Sequence, residues 1–427
     1  MNVTKKDSYE NLASHLFRNE AGKMVSVLTR IFGLPRIEIA EDIVQDTFLK
    51  ALDEWGFNNI PQNPQAWLYK VAKNKTIDYL RHWKHVQDYE SDISHLLKSE
   101  WTLSASVNNM FLDNEIQDSQ LRMIFTSCHP LLPQESQIAL TLKTLCGFSI
   151  KEISRALLTT GANVNKRLFR AKQKLRDEHL KFEIPMGDEL AKRLDSVYRV
   201  IYLIFNEGYS STESEKIIRK DLCAEALRLC QLLSEHKIGD NPKTYALFSL
   251  MCFHSSRFNA RIDDKGYVIL LKEQDRKLWN KALIAKGFEY LSKSSYGNEL
   301  SEYHLEAGIA SYHLSAKSLD KTNWNSILKL YEILEKINPS PVTILNKAIV
   351  VSQISGPQAA LEEVLKIKTL EKYYLYHTTL AELYKDLDQI QKAKTHLEEA
   401  LKLTNSAAEI SLIKKRIEEL KFNRRFL

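Results

Sequence analysis

The sequence is poor in residues that interrupt helices: only 13 of its 427 residues are glycine and only 10 are proline. Leucine, lysine, glutamate and alanine, which all favour helices, are frequent. The composition therefore predicts an all-α protein. Hydrophobic residues make up 44% of the chain and charged residues 27%, which is typical of a globular protein, and the length indicates two to four domains.

Long hydrophobic runs and paired cysteines are also missing. The most apolar stretch, Val197 to Phe205, is interrupted by Arg199 and is too short to span a bilayer. The first 20 residues are polar and predict no signal peptide, so we expect a cytoplasmic protein that does not bind membranes. The five cysteines include no CxxC pair, which favours buried or half-buried free thiols over a zinc site or a disulfide framework.

Motifs that would indicate an enzyme are missing as well. The sequence contains no HExxH, no phosphate-cradling glycine loop and no nucleophile–base pair at a recognisable spacing. We therefore expect no catalysis, no cofactor and no metal. An enzyme that uses His254 and Arg257 remains an alternative, although nothing in the sequence indicates a substrate.

The net charge of +6 is mild, but the charges are unevenly distributed along the chain. Between Glu38 and Trp55, apolar residues recur at spacings of three and four, which predicts an amphipathic helix. Its other face is acidic. Because acid next to a nucleic-acid site repels phosphate, this face is expected to contact protein, with ordinary solvated charge as the alternative. The polar and acidic residues are Glu38, Glu41, Asp42, Gln45, Asp46, Asp53 and Glu54.

A loop with two prolines and three asparagines follows at residues 57–64, and then a basic helix from about residue 65 to 85. On that helix the spacing of four, four and three places several polar side chains on one face. A basic groove tracks a phosphate backbone, and aromatic faces stack on unpaired bases at about 1–3 kcal/mol per base. The pattern predicts a surface for single-stranded DNA, with a solvated basic helix and core tryptophans as the alternative. The candidate residues are Trp55, Phe57, Asn58, Asn63, Trp67, Lys70, Asn74, Asp78 and Arg81.

Residues 86–115 carry six acids against one lysine, with several serines and asparagines, which is typical of a flexible acidic linker. Beyond it, Gln134–Leu145 is predicted to be helical, and Gly147–Ser149 forms a tight turn. Ser149 with Glu152 three residues later is a capping-box pattern that begins the next helix. A further helix from Ala162 to about Leu180 completes a helix-turn-helix.

The last of these helices is basic, with no acid in residues 162–176. Its first turns are the part of a recognition helix that contacts base edges in the major groove, where Arg and Lys pair with guanine and Asn with adenine. Arg170 and Lys174 are expected to contact phosphate. Leu168, Ala171 and Leu175 form the apolar stripe, and a solvated basic face is the alternative. The candidate residues for duplex DNA are Asn163, Asn165, Lys166, Arg167, Arg170 and Lys174.

From Pro185 to the end the pattern is helical throughout. Ala348, Val351, Ala360 and Val364 align with Ala381, Tyr384, Ala393 and Leu397 at a spacing of 33 residues, which is typical of tetratricopeptide helix pairs. Three polar clusters stand out in this half. They predict either buried ion pairs that set helix packing, which we favour, or a ligand pocket. The clusters are Asn206-Glu207, His254-Ser-Ser-Arg257 with Asn259 and Arg261, and Gln274-Asp275-Arg276.

Several of these stretches resemble a known family. Glu41-Asp-Ile-Val-Gln-Asp-Thr-Phe48 and Ala66-Trp-Leu-Tyr-Lys-Val-Ala-Lys-Asn-Lys-Thr-Ile-Asp-Tyr-Leu-Arg81 resemble region 2 of sigma factors, and Leu121–Arg176 resembles region 4. Four further stretches resemble one subgroup of extracytoplasmic-function (ECF) RNA polymerase sigma factors that carries a tetratricopeptide-like (DUF6596-type) extension. They are Tyr202–Tyr209, Arg257–Arg261, Gln274–Arg276 with Trp279, and Ser340–Val342 with Leu345 and Asn346. The resemblance covers nearly the whole chain.

The resemblance implies roles for particular residues. Asn74 would contact the extruded base of the minus-ten promoter element, Trp55 would be an aromatic near that loop, and the recognition helix would read the minus-thirty-five element. The acidic linker would pass through the polymerase channels and mimic nucleic acid there. Gly161, Asn163 and Asn165 depart from the family pattern, so the promoter sequence does not transfer. Docking on the clamp helices of the largest polymerase subunit would involve Asp42, Gln45, Asp46, Phe48 and Leu49.

We therefore expect a region 2 domain (1–88), an acidic linker (89–115), a region 4 helix-turn-helix domain (116–182) and a C-terminal domain of tetratricopeptide-like helices (185–427). The expected function is a transcription initiation factor that binds core RNA polymerase and promoter DNA, both duplex and melted, and is regulated in cis by its extension. A small ligand or a protein could bind that extension. The alternative is a one-component regulator that binds duplex DNA through the helix-turn-helix alone and senses a ligand in its C-terminal domain.

Overall fold

A computed structural model describes residues 5–55, 60–83, 100–157, 159–209, 219–263, 268–404 and 406–422. The chain divides into two compact units, Met1–Leu203 and Ile204–Leu427. Within the described ranges the regular structure is helical, apart from one isolated antiparallel bridge between Ile262 and Val268. The predicted all-α class is confirmed.

The helices of the first unit alternate with short turns. They are α1 (Lys5–Phe32), α2 (Ile37–Trp55), α3 (Pro64–Trp83), α4 (Glu100–Asn109), α5 (Asp113–Ser127), α6 (Gln134–Thr144), α7 (Ile150–Ala156) and α8 (Gly161–Asp177), with α9 (Asp188–Tyr209) spanning the division.

Helix α1 is the centre of the first unit, where it packs against α2, α3, α5 and α6. Met24, Val27 and Leu28 are fully buried on it. Gly22 allows a close approach, because a Cβ atom there would lie 2.0 Å from the carbonyl oxygen of Leu145 just after α6. The helices of the predicted region 2 and region 4 domains therefore share one packed core.

Part of the predicted flexible linker is ordered. Leu103 and Val107 on α4, and Phe111 after it, are buried at spacings of four residues. The Phe111 ring lies 5.4 Å from the ring of Tyr69 on α3. The prediction of a linker over 100–115 was therefore wrong, because these apolar side chains gain more from burial than the surrounding polar residues lose by ordering. Residues 84–99 lie outside the described ranges.

The helix-turn-helix is confirmed at α6 to α8. Ser149 accepts a hydrogen bond from the Glu152 backbone, and the Glu152 carboxylate accepts one from the Ser149 backbone N–H at 2.8 Å, which completes the capping box. Thr160 caps α8 by accepting from the N–H of Asn163. The apolar stripe of α8 is buried as predicted and also includes Val164. Its residues are Val164, Leu168, Ala171 and Leu175.

The second unit continues with α10 (Lys220–Ser234), α11 (Pro242–Ser256), α12 (Lys281–Lys293), α13 (Glu302–Ser315), α14 (Trp324–Ile337), α15 (Pro341–Ser355), α16 (Pro357–Val364), α17 (Tyr374–Asp386), α18 (Ile390–Leu403) and α19 (Ala407–Phe422).

The 33-residue spacing corresponds to two consecutive helix pairs, α15 with α16 and α17 with α18. Ala348, Ala360 and Ala393 are fully buried and Ala381 nearly so, all in one hydrophobic core. Small side chains at these positions let paired helices approach closely, as in tetratricopeptide repeats. The predicted helical-repeat character is confirmed for this part of the chain.

The division between the two compact units falls within α9, after Leu203, and not near residue 185. The Arg193 guanidinium on α9 donates a buried hydrogen bond of 2.6 Å to the Phe125 carbonyl, and Val197 is fully buried. The first turns of α9 thus belong to the first unit, whose limit is Leu203. A burial pattern on one helix does not reveal which neighbour covers it, so the sequence could not locate this boundary.

All five cysteines are free and buried, as predicted. Burial raises the pKa of the Cys128 thiol to about 12, which leaves it protonated and unreactive at neutral pH. In the described part of the chain, no helix has both the length and the apolar character of a membrane span.

Candidate nucleic-acid interface

One face of α3 is polar and exposed. Lys70, Asn74, Asp78 and Arg81 all lie on this outward face, while Leu68, Ala72 and Leu80 on the opposite side are buried. Asp78 and Arg81 form an exposed pair at 3.5 Å. The Asn63 side chain begins the helix by accepting a hydrogen bond from the N–H of Ala66 at 2.9 Å. The predicted face therefore exists, although Asn63 already serves the helix terminus.

The aromatic part of the predicted surface differs. Trp55 is only 2% exposed, and its ring meets that of Trp67 edge to face at 5.2 Å. The prediction that Trp55 stacks on an unpaired base was wrong, because this residue ends the apolar stripe of α2 and faces the core with it. Trp67 is half-buried. Phe57 and Asn58 lie outside the described residues.

The acidic face of α2 is exposed at Asp42, Gln45 and Asp46. Leu49 and Leu52 between the acids are 51% and 49% exposed, whereas Phe48 is half-buried with its ring 4.5 Å from that of Phe17. Exposed leucines within an acidic surface suit a protein partner rather than DNA. Asp46 also pairs with Lys75 of α3 at 3.2 Å, so the acidic surface borders the basic one.

Most candidate residues of α8 lie on its outward side. Those exposed are Asn163, Asn165, Lys166, Arg170 and Lys174. Arg167 is half-buried because its guanidinium lies 2.5 Å from the carboxylate of Glu135 on α6. An arginine held by a carboxylate must exchange that partner before it pairs with a base.

Phe169 is a further exposed residue of α8 that was not among the predicted DNA contacts. It is 62% exposed in the middle of α8, one helical turn after Asn165. A phenyl ring in the major groove can contact the methyl group of thymine. The sequence could have predicted this exposure, because Phe169 lies outside the apolar stripe of α8. A large apolar residue that is not on the buried face of a helix must be exposed. The stripe consists of Val164, Leu168, Ala171 and Leu175.

Charged side chains of α8 also contact α2 directly. Lys172 lies 2.6 Å from Glu41, and Arg176 lies 2.9 Å from Glu38. Lys172 and Glu41 are 11% and 19% exposed, so this pair is largely removed from water. The basic helix α8, expected to bind DNA, and the acidic helix α2, expected to bind protein, thus contact each other. The sequence could not predict this contact, because Lys172 and Glu41 are 131 positions apart.

The segments that carry these faces match two families. Residues 16–85 match sigma-70 region 2, and residues 122–175 match sigma-70 region 4. Residues 193–295 match a family of unknown function, DUF6596. The sigma factor SigM of Bacillus subtilis, an ECF RNA polymerase sigma factor, is 31% identical over 143 residues, which cover 78% of that protein and 32% of this chain. The chain belongs to the ECF RNA polymerase sigma factors.

Other relatives are similar to this chain over different shares of its length. An uncharacterized protein of Rhizobium meliloti (strain 1021) is 34% identical to this sigma factor over 385 residues, which cover 90% of each chain. The ECF RNA polymerase sigma factor SigW of Bacillus subtilis is 26% identical over 167 residues, or 82% of its length. No solved structure gives a significant match.

The family matches fall on the helices described above. Region 2 covers the acidic face of α2 and the basic face of α3, and region 4 covers α5 to α8. The SigM match covers only a third of this sigma factor, whereas the Rhizobium match extends through the C-terminal helices. This protein therefore shares most of the extension with at least one relative of similar length.

Proposed function

We propose that this protein initiates transcription by binding core RNA polymerase through α2 and promoter DNA through α3 and α8. The observation that carries the proposal is the presence of two separate outward polar faces, on α3 and on the recognition helix α8, each within the matching sigma region. One face suits an unwound strand and the other suits a duplex. A cytoplasmic location follows from this role, because the polymerase is there.

Polymerase binding would use the exposed face of α2. Asp42, Gln45 and Asp46 provide charge and hydrogen bonds, and exposed Leu49 provides apolar area at the centre of an acidic surface. An apolar centre with a polar rim is the usual composition of a protein interface. Half-buried Phe48 would support this surface from below, through its contact with Phe17.

Minus-ten recognition would use α3, with Asn74 as the residue that hydrogen-bonds a base. Lys70 and Arg81 lie one or two turns away on the same face and would contact the backbone. Because Trp55 is buried, the aromatic surface for base stacking would be provided by half-buried Trp67 or by residues outside the described ranges. Minus-thirty-five recognition would use Asn163, Asn165, Lys166 and Arg167 on base edges and Arg170 and Lys174 on phosphates.

Asn74→Ala tests the base-capture role. We expect promoter opening, measured by permanganate reactivity of unpaired thymines, to fall at least tenfold while duplex binding by the same holoenzyme changes less than twofold. Lys151→Ala, an exposed lysine on α7, is the control that removes a surface side chain elsewhere. Equal losses of opening and duplex binding would contradict the assignment.

We also propose that the C-terminal extension regulates this activity in cis. Support comes from its size, more than half of the chain, and from the relative that shares the same length and arrangement. The test is run-off transcription with core polymerase, comparing the full chain with a chain that ends after Tyr209, so that α9 remains whole. We expect at least a threefold difference in transcript yield between the two proteins. Equal yields would contradict regulation in cis by the extension.

A one-component regulator that binds only duplex DNA is the weaker alternative. It has no need of a region 2 domain with a polar α3 face, and residues 16–85 match that region. Co-elution with core polymerase during gel filtration distinguishes the two, since a duplex-only regulator would elute alone.

A further inference from the structure

One of the polar clusters of the C-terminal half, with His254, Arg257 and Arg261, lies around Tyr209 at the end of α9 in the second unit. An Arg257 Nη atom donates a hydrogen bond of 2.6 Å to the Tyr209 hydroxyl. The Arg261 guanidinium lies 3.8 Å from the centre of the Tyr209 ring and donates to the Tyr209 carbonyl at 2.8 Å. The Tyr209 and His254 rings are 4.8 Å apart.

A third arginine lies close by. Arg276 donates hydrogen bonds of 2.8 Å to the carbonyls of His313 and Ala316 at the end of α13, and its guanidinium lies 4.5 Å from the centre of the Trp279 ring. The next residue, Asn280, donates from its backbone to the Ser256 carbonyl at 2.8 Å, so this segment is attached to the end of α11. Arg257, Arg261 and Arg276 thus form one cluster, called here the arginine cluster.

Ion pairs were the favoured prediction for these residues, and the structure contradicts this prediction for the three arginines. Within the described part of the chain, no carboxylate forms a salt bridge with any member of the arginine cluster; their partners are a hydroxyl, carbonyls and aromatic rings. Other arginines of the same unit are conventionally paired, Arg219 with Asp221 at 2.8 Å and Arg228 with Glu225 at 2.9 Å. The cluster therefore concentrates uncompensated positive charge, which is costly in a half-buried location.

The neighbouring histidines respond to this charge. Burial, and then the charges of Arg257 and Arg261, lower the pKa of His254 to about 3. Burial, and then Arg257 and Arg276, lower the pKa of His313 to about 4. Both imidazoles are neutral at pH 7, so each has a ring nitrogen able to donate a hydrogen bond without adding charge.

Arg257 has the most unused hydrogen-bonding capacity. Arg261 and Arg276 are held by backbone carbonyls at the ends of α9 and α13, whereas the Arg257 guanidinium has, among the described residues, only the Tyr209 hydroxyl as a hydrogen-bond partner. Within the described ranges, its buried Nε atom has no hydrogen-bond partner, and neither has the buried indole Nε1 of Trp279. Buried donors without acceptors, next to excess positive charge, indicate a site that an anion would complete.

We propose that the arginine cluster binds a small oxyanion of the phosphate class. The planar guanidinium fork matches the geometry of phosphate oxygens and forms paired hydrogen bonds with them. A dianion offsets the charge of three guanidinium groups better than a single carboxylate does. The extension would thus contain a binding site for a phosphate-bearing ligand. This proposal does not depend on the promoter-binding roles proposed above.

The test uses the purified full-length protein and inorganic phosphate. At constant ionic strength set with chloride, phosphate is expected to raise the Tm in a saturable manner, because a ligand that binds only the folded state stabilises it. Arg257→Gln should weaken phosphate binding, measured by isothermal titration calorimetry, at least tenfold. Lys277→Gln removes the same charge from an exposed side chain next to the cluster and should leave binding within twofold.

Further variants separate a binding role from a structural one. In chloride alone, Arg257→Gln should keep or raise the Tm, since it relieves like-charge repulsion in the cluster. Arg257→Lys retains the charge without the fork, so it should fold and bind phosphate more weakly. No saturable phosphate effect on the wild-type protein would overturn the proposal, as would a lower Tm of Arg257→Gln in chloride together with an unchanged phosphate response.

The same calorimetry distinguishes the source of the phosphate group. Adenosine 5′-monophosphate that binds at least tenfold more tightly than inorganic phosphate, and loses binding in Arg257→Gln, would support a phosphomonoester ligand. Equal or weaker binding of the nucleotide, with phosphate binding lost in the variant, would support the free ion.

Discussion

The ion pair between Arg167 and Glu135 leads to a quantitative prediction about the affinity of α8 for duplex DNA. The Arg167 guanidinium lies 2.5 Å from the Glu135 carboxylate, with the two side chains 25% and 69% exposed. Ion pairs with one exposed partner, like this one, contribute about 0–1 kcal/mol. If Arg167 reads a base, it must leave this carboxylate, and that contribution is subtracted from the free energy of DNA binding.

The expected sizes follow from this competition. Arg167→Ala should weaken binding to a duplex carrying the selected upstream element by about 1–3 kcal/mol, or about 5- to 150-fold. Glu135→Gln should strengthen binding by up to about 1 kcal/mol, or about fivefold, because it frees Arg167 and removes an acid near phosphate. In the Arg167→Ala background most of the Glu135→Gln effect should vanish, which a double-mutant cycle measures as coupling.

Fluorescence anisotropy with labelled duplexes, repeated over a range of salt concentrations, provides the measurement. Arg170→Ala is the comparison variant: as a phosphate contact, it should weaken all sequences alike and reduce the salt slope by about 1. If Arg167→Ala also weakened every sequence equally, Arg167 would be a phosphate contact and the assignment would be refuted. Weaker binding by Glu135→Gln would refute the competition itself.

The other predictions concern packing, an exposed aromatic and pH. Gly22→Ala should lower the Tm in thermal denaturation, because its Cβ would lie 2.0 Å from the Leu145 carbonyl oxygen and overpacking costs about 1–3 kcal/mol. Gly161→Ala is the control: its Cβ would have its nearest contact at 3.5 Å, so this variant should be neutral or stabilising. Equal Tm values for the two variants would contradict the close approach at Gly22. Phe169→Ala should change the free energy of unfolding by less than about 0.5 kcal/mol, as it is 62% exposed, yet weaken duplex binding in the anisotropy assay; unchanged affinity would remove it from the interface. The pKa of His254 is about 3 in the folded protein and near 6.5 in the unfolded chain. As the pH falls, the unfolded chain therefore takes up the proton first. The free energy of unfolding should be highest above pH 6.5 and should decline as the pH falls from 6.5 towards 3. Urea denaturation across that range should show a shallower decline for His254→Gln, and an identical pH profile would refute the burial of a neutral imidazole.

Local patterns predicted most helices because helix signals act over a few residues. The capping box of Ser149 and Glu152 and the stripe of Leu168, Ala171 and Leu175 all lie within one or two turns of each other, and the structure confirms them. The same reasoning failed at residues 100–115. There the polar composition indicated a linker, whereas three apolar residues at spacings of four determined the structure.

The candidate DNA surfaces were predictable in part. The outward face of α3 follows from its spacing, since Lys70, Asn74, Asp78 and Arg81 must share one side of any helix. Whether Trp55 stacks on a base or packs in the core did not follow, because an aromatic residue at the end of a helix satisfies either pattern. Its contact with Trp67 decided for the core.

By itself, the sequence determined the helical class, the helix-turn-helix, the repeated pairs near the C-terminus and the resemblance to sigma factors, because each depends on residue types at short, fixed spacings. Only the tertiary structure decided which charges are paired. It joins Lys172 to Glu41 across 131 positions, and among the residues that it describes it gives Arg257 a tyrosine hydroxyl and no carboxylate. The reason is physical: an ion pair requires a distance of a few ångströms between two side chains, and the path of the chain between distant segments sets that distance.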